Sequence, residues 1–128
     1  MLVALNPIQI NKMNIITRKF PILEVETKKG TMLIPLHKIV SIKAFNKGSI
    51  INPVNSNIIE TKYLIKSYSR FLPVPYFFRC HNSYLVNCKY VDCYTSSEII
   101  LKGNVRIPLS RSKKQLFIEN MIEFLQIS

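Results

Sequence analysis

The stretch Phe77–Asn87, which reads FFRCHNSYLVN, mixes apolar and polar residues densely and contains neither Gly nor Pro. We interpret it as an extended segment, on which neighbours such as Cys80 and His81 point to opposite faces. Its polar residues form a first cluster, which consists of Arg79, His81, Asn82 and Ser83.

A second polar cluster surrounds the stretch Ile107–Arg111, which reads IPLSR. It consists of Arg106, Ser110, Arg111, Lys113 and Lys114. Both clusters suit nucleic acid, because Asn can pair with adenine and Arg with guanine, while Lys, Arg and Ser bind phosphates. The cations of the second cluster lie where a helix is predicted to begin; they oppose its dipole but would help its amides to bind a phosphate. A structural interpretation stays open for His81 and Asn82, which could satisfy backbone groups in a turn.

The charge of the chain points in the same direction. Its 128 residues include 18 Lys and Arg against 7 Asp and Glu, a net charge of +11, and its isoelectric point is about 9.8. Fifteen of the basic and three of the acidic residues lie between Thr27 and Ile118, so the excess belongs to the body of the fold. Such a surface attracts polyanions, because each neutralised phosphate releases counterions. Nucleic acid is therefore the favoured partner.

Composition and motifs argue against several classes of protein. With 48% hydrophobic residues and only 3 Gly and 7 Pro, the chain is neither collagen-like nor disordered. Its three Cys and two His form no CxxC or HxxxH pair, so no metal or cofactor is expected. No apolar run is long enough to enter and span a membrane, and the N-terminus lacks a signal-peptide pattern. We therefore expect a cytoplasmic protein.

The sequence does not support an enzyme. It contains no glycine-rich phosphate loop, no GxSxG turn and no pair of carboxylates. Cys80 and His81 are adjacent on an extended chain and cannot serve as a nucleophile and its base. Cys80 and Cys88 are expected to be small buried groups rather than reactive thiols.

Residues rich in Ile and Tyr, broken by turn residues, predict about seven antiparallel strands. The first two form a hairpin over 21–35 that turns at Lys28–Thr31, and two more form a hairpin over 98–109. Residues 36–44 are predicted to form a short turn and a strand. A further strand is predicted at 50–54, which Pro53 marks as an edge or a break. Another strand is predicted over 90–94. Residues 1–20 are expected to form an arm or an extra strand, and residues 21–128 the domain.

Two helices are predicted. Thr61–Leu72 has apolar residues at helical spacing, so it predicts an internal amphipathic helix capped by Thr61. Ser110 is expected to cap a final helix over Arg111–Gln126. The apolar positions of that helix are Leu116, Ile118, Met121, Ile122 and Leu125.

The two polar clusters carry a resemblance to a known family. The pattern F-x-R-x-H-x-S-Y-x-V-N at Phe77–Asn87, followed by Ile107–Arg111 before a terminal helix, resembles the LytTR-type DNA-binding domain. The resemblance implies a mainly β, elongated fold of small antiparallel sheets with one internal and one C-terminal helix. It also implies a bacterial transcription regulator that inserts loops into successive major grooves of duplex DNA, bends it and often binds direct repeats.

The resemblance also implies roles for individual residues. Asn82 and Arg111 would read bases, and Lys47, in the loop over 46–49, would be a third base contact. The contacts to the DNA backbone would come from Arg79, Ser83, Lys113 and Lys114.

Duplex DNA is thus the expected partner, with self-association on DNA and a separate regulatory protein as further expectations. About twenty residues precede the domain, too few for a phospho-receiver domain, so phosphorylation of this chain on an aspartate is not expected. One alternative is a basic interaction module that docks an acidic protein or an anionic membrane surface. Another is an RNA or single-strand binder, which is disfavoured because its aromatic residues alternate like core residues instead of forming an open platform.

Overall fold

The chain forms three small antiparallel sheets and a C-terminal helix in a computed structural model, which describes residues 21–127 and the backbone of residues 3–4 and 14–17. The first sheet has the order β1-β2-β3-β4 and consists of Val3–Ala4, Asn14–Thr17, Ile22–Thr27 and Gly30–Pro35. The strands of the second sheet, in chain order, are Ile39–Phe45 (β5), Gly48–Pro53 (β6), Ile59–Thr61 (β7), Phe77–His81 (β8) and Tyr84–Asn87 (β9). Within the sheet they have the order β7-β6-β5-β9-β8.

The third sheet and the helices complete the described part of the chain. The third sheet has the order β10-β11-β12 and consists of Val91–Tyr94, Glu98–Leu101 and Val105–Pro108. The internal helix α1 spans Ile65–Tyr68, and the C-terminal helix α2 spans Lys114–Ile127. Neither is long and apolar enough to cross a bilayer. The mainly β architecture with a terminal helix confirms the predicted fold class.

The five-stranded sheet lies between two hydrophobic cores. Neighbouring residues of β9 point to opposite faces, so Leu85 joins one core and Val86 joins the other. The first core packs this sheet against the first sheet and α1, with Leu23, Ile42 and Tyr68 among its members. The second core packs it against the third sheet and α2. Its buried members are Cys80, Val86, Ile99, Leu101, Ile107, Leu109 and Phe117.

Several predicted strands are confirmed. The hairpin β3–β4 turns at Lys28–Lys29. Gly30 has a φ of 129°, which residues other than glycine rarely adopt. The hairpin β11–β12 lies where the second hairpin was predicted. Pro53 ends β6, although β6 is an inner strand and not an edge. The strand count exceeds the predicted seven partly because Phe77–Asn87 folds back on itself as the hairpin β8–β9.

The predicted helix over Thr61–Leu72 is wrong in its extent. Thr61 belongs to β7 and pairs with Ser49, and the helix that follows is a single turn whose N-cap, Leu64, makes no side-chain cap. The reason is a competing period of two. From Thr61 to Ile65 buried and exposed side chains alternate, so this stretch fits an extended chain as well as a helix.

The C-terminal helix also differs from its prediction. A 3-10 turn over Arg111–Lys113 precedes it, and the Ser110 side chain does not cap that turn. The buried face of α2 consists of Phe117, Asn120 and Phe124, and the predicted apolar positions include Leu116, Ile122 and Leu125, which are exposed. Aromatic rings decide this face, because Phe117 packs against Phe78 and Tyr94 with ring centroids 5.8 and 5.6 Å apart.

The prediction for residues 1–20 falls mostly outside the described residues. The described backbone at 14–17 pairs with β3, and that at 3–4 pairs with 14–17. The division of the chain at residue 21 stays a prediction.

Candidate nucleic-acid interface

Two turns of the five-stranded sheet emerge at the same end. β5 pairs antiparallel with both β6 and β9, so the turn between Phe45 and Gly48 and the turn between His81 and Tyr84 lie side by side. The Ala44 amide donates to the Ser83 carbonyl at 2.8 Å, which ties the two turns together.

A third segment joins them from the C-terminal part of the chain. The Ser110 amide donates to the Cys80 carbonyl at 2.9 Å, which places Arg111 next to the end of β8. We call the two turns, Phe45–Gly48 and His81–Tyr84, together with the segment Leu109–Arg111, the loop edge. It contains no acidic residue, so its electrostatic field is set by its cations.

Side chains other than Asn82 close the turn that carries Asn82. The Ser83 amide donates to Nδ1 of His81 at 3.0 Å, and Nη2 of Arg79 donates to the Asn82 carbonyl at 2.7 Å. The His81 ring meets the Tyr84 ring edge-on, 5.9 Å between centroids. His81 therefore satisfies a backbone group in the turn, as the structural interpretation of this residue predicted. The Asn82 side chain is exposed and makes no hydrogen bond within residues 21–127.

Arg79 acts on the protein itself in this geometry. Its Nη2 is committed to the turn, and its Nε is buried without a hydrogen-bond partner among the described residues. The guanidinium is held beside the turn. A phosphate could be bound only by those of its N–H groups that are neither buried nor bonded to the turn. Ser83 gives its amide to His81 and keeps its hydroxyl free of any hydrogen bond in the described part of the chain.

Lys47 is exposed in the first turn. Asn46, before it, has a left-handed φ of 53°, which Asn tolerates better than most residues. Gly48, after it, is buried against β7, where a Cβ atom would lie 2.1 Å from the Thr61 carbonyl oxygen. The sequence predicted a turn that contains Gly48 but did not show why a glycine is required there. The requirement arises from the close approach of the β7 backbone, which a sequence does not reveal.

The second cluster is divided by the fold. Arg106 lies on β12 and forms an ion pair with Glu98 on the neighbouring strand, with Nη1 and Oε1 3.0 Å apart, so its charge is partly compensated. Arg111 is exposed, and Lys113 and Lys114 are half-buried where the 3-10 turn meets α2. Four sequence-predicted contacts, at Asn82, Ser83, Lys47 and Arg111, therefore lie on the loop edge, and the others adjoin it.

The comparison with protein families decides the identity of this fold. The model of the LytTr DNA-binding domain matches residues 29–122. The chain belongs to the LytTr DNA-binding domain family. A solved domain described as the LytTr DNA-binding domain of a methyl-accepting/DNA response regulator from Bacillus cereus has the same fold. It superposes with a TM-score of 0.66 at 24% identity, covering 78% of this chain and 95% of that one. A search of curated proteins gave no match.

This LytTr domain is thus a DNA-binding domain of a transcription-regulator family, and that family is not one of enzymes. Two of its three thiols are buried. Burial raises the pKa of Cys80 to about 12, although the nearby charge of Lys113 acts against the shift. Burial likewise raises the pKa of Cys88 to about 12. The prediction that these two residues are buried is confirmed, and Cys93 is exposed. No three metal-binding side chains meet within the described ranges.

Proposed function

We propose that this LytTr domain is a sequence-specific regulator of transcription that inserts its loop edge into the major groove of duplex DNA. The observation that carries the proposal is the turn at Asn82. Its backbone is fixed by Arg79 and His81, while the Asn82 amide is exposed and unbonded in the described structure. An amide held out from a fixed turn has both hydrogen-bonding groups available for the edge of an adenine.

Arg111 and Lys47 complete the base-reading set. Arg111 is exposed beside the end of β8, where its guanidinium can meet a guanine through two hydrogen bonds. Lys47 extends the row on the other side, across the tie between Ala44 and Ser83. A row of turns suits this task, because the major groove, about 12 Å wide, admits a two-stranded ribbon as readily as a helix. Insertion into successive grooves, with bending of the DNA, is part of the proposal.

Contacts to phosphates come from the residues around this row. Lys113 and Lys114 leave the 3-10 turn next to Arg111, and the Ser83 hydroxyl lies beside Asn82. Arg79 offers its remaining N–H groups. These contacts hold the domain in register but do not distinguish bases. Binding of paired domains to direct repeats, self-association on DNA and control by a separate protein belong to the same proposal.

The test is a titration of three polyanions over several salt concentrations. The polyanions are a duplex selected from a random library, single-stranded DNA and vesicles containing anionic lipid. We expect the selected duplex to bind best, with a log–log salt slope of about −4 to −6, because each neutralised phosphate contributes about 0.9. A flat slope would contradict the proposal. Equal binding of vesicles and duplex, without any selected site, would favour the basic interaction module instead.

Lys114→Ala separates phosphate contacts from bulk charge. It should weaken selected and random duplexes equally and reduce the salt slope by about one. The matched control is Lys38→Ala. Lys38 is exposed at the opposite end of β5, about 20 Å from the loop edge at 3.3 Å per residue. The assignment of Lys114 fails if the two variants have the same slope.

A further inference from the structure

Three buried hydroxyl groups form a closed ring inside the first hydrophobic core. The Ser49 Oγ lies 2.8 Å from Thr61 Oγ1 and 2.9 Å from the Tyr68 hydroxyl, and the last two are 2.7 Å apart. Ser49 and Tyr68 are fully buried, and Thr61 is 6% exposed. We call this set the hydroxyl ring.

The ring satisfies its own hydrogen bonds. A hydroxyl has one proton to donate and can also accept, so three hydroxyls in a triangle form three bonds in which each donates once and accepts once. Burial raises the pKa of the Tyr68 phenol, although its bonds to Ser49 and Thr61 act against that shift. The phenol therefore stays protonated and can donate its hydrogen bond within the ring. Removing the Tyr68 hydroxyl takes one partner from Ser49 and one from Thr61, whose oxygen still accepts from the Tyr63 amide at 3.4 Å.

The ring lies directly beneath the turn that carries Lys47. Ser49 follows Gly48, the last residue of that turn, and Thr61 is its cross-strand partner on β7. Tyr68 reaches the pair from α1. The same turn is fixed on its other side by the bond from Ala44 to Ser83. The ring therefore connects three separate elements at the base of one turn of the loop edge.

Directional bonds distinguish this arrangement from ordinary packing. Apolar groups of the same shape could replace the three hydroxyls at a modest cost in stability, since they would leave only the Tyr63 amide, which donates to Thr61 Oγ1 at 3.4 Å, without that acceptor. They would fill the same volume without fixing the angle between β6, β7 and α1. The hydroxyls, which are buried, cannot touch DNA themselves.

We propose that the hydroxyl ring positions the Phe45–Gly48 turn for DNA, with Tyr68 as a positioning residue for the base contact of Lys47. The proposal rests on the proposed function, because it assigns the ring to that same site. It predicts that the ring controls the order of the turn in the free protein and the base preference contributed by Lys47.

The test compares Tyr68→Phe with Tyr63→Phe. The control, Tyr63→Phe, also removes a hydroxyl from a buried tyrosine. The Tyr63 hydroxyl accepts from the Glu26 amide on β3 at 3.0 Å and is not a member of the hydroxyl ring. Hydrogen exchange at the turn amides is measured first, without DNA. We expect faster exchange in Tyr68→Phe than in Tyr63→Phe. Equal exchange in the two variants overturns the proposal.

Base preference is then measured by selecting bound sites from a random duplex library. The positions that Lys47→Ala flattens define the contact of this turn. At those positions Tyr68→Phe should lose preference by about 2- to 30-fold, the range for residues that act without touching the ligand. Tyr63→Phe should lose none. Unchanged preference in Tyr68→Phe overturns the proposal. If Lys47→Ala flattens no position, the base contact in the proposed function fails, and the exchange comparison alone decides whether the ring holds the turn.

A triple variant separates positioning from stability. Replacing the ring with Ser49→Ala, Thr61→Val and Tyr68→Phe removes every member, so no hydroxyl is left unpaired. We expect its thermal stability to exceed that of Tyr68→Phe, while turn exchange stays fast and the preference stays reduced. Recovery of preference together with stability would show that the ring is only structural. The triple variant also carries the test if Tyr68→Phe does not fold.

Discussion

Replacing Asn82 with Ala separates base reading from turn formation. The Asn82 side chain is exposed and makes no hydrogen bond within residues 21–127, so its removal should change the free energy of unfolding by less than about 0.5 kcal/mol. The turn keeps its two bonds, from Arg79 and to His81. Loss of a bidentate contact to adenine should cost about 1–3 kcal/mol of binding free energy, which is about 5- to 150-fold in affinity.

The assay measures two quantities on the same variant. Fluorescence anisotropy gives the ratio of affinities for the selected site and a random duplex, and thermal denaturation gives stability. The ratio should fall for Asn82→Ala, with preference relaxed at one position of the site. The control is Asn57→Ala, at an exposed residue between β6 and β7 at the far end of the sheet. A lower melting temperature with an unchanged ratio would refute the reasoning, because Asn82 would then only support its turn.

Further predictions concern the arginine and the thiols. Arg111→Ala should relax preference at a second position by about 1–3 kcal/mol, whereas Arg70→Ala, at an exposed arginine after α1, should leave the preference unchanged; equal effects would remove Arg111 from the site. In the native protein at pH 8 an alkylating reagent should modify Cys93 and spare Cys80 and Cys88, whose pKa is about 12, and mass spectrometry showing rapid modification of all three would contradict their burial. Folding raises the pKa of both thiols from 9.0 to about 12, so the stabilisation from the neutral buried thiols is complete below about pH 9. That stabilisation is lost as the pH rises toward 12, and the melting temperature should therefore fall over that range. Serine at all three positions should lower the melting temperature but keep DNA preference, and a folded variant without binding would show that a thiol is needed.

Alternation of apolar and polar residues around a turn predicted the strands that pair with their neighbours in sequence. The hairpin β3–β4 follows from alternation around a turn with Gly30, and the hairpin β11–β12 follows in the same way. The helix over Thr61–Leu72 failed because two periods fit the same residues. Its spacing satisfied a helix, but Thr61 is drawn into a strand by its pairing with Ser49, twelve residues earlier. A contact of that kind does not show in a sequence window.

The sequence proposes members of the candidate site, whose roles stay predictions, but it does not predict how they are arranged. Asn82 and Arg111 were named from residue type and resemblance, and the fold brings them together through the bond from Ser110 to Cys80. Arg106 was grouped with them by sequence distance, but its guanidinium forms an ion pair with Glu98 on the adjacent strand. Closeness in sequence does not decide the arrangement, because Arg106 belongs to a strand, whereas Arg111, Lys113 and Lys114 lie in the 3-10 turn and at the start of α2.

In the proposed function, Arg79 serves recognition without reading a base. A guanidinium next to DNA is expected to bind phosphate, yet its Nη2 donates to the Asn82 carbonyl and so fixes the peptide that carries the exposed amide. Together with His81 it performs the work that a turn-forming asparagine would otherwise do with its own side chain. Because the neighbours form these bonds, the Asn82 amide is left with its full hydrogen-bonding capacity. A base contact made from a turn ordered in this way loses less conformational entropy on binding than one from an unsupported loop. In the proposed function, Arg79 and His81 thus hold the Asn82 amide ready for a base.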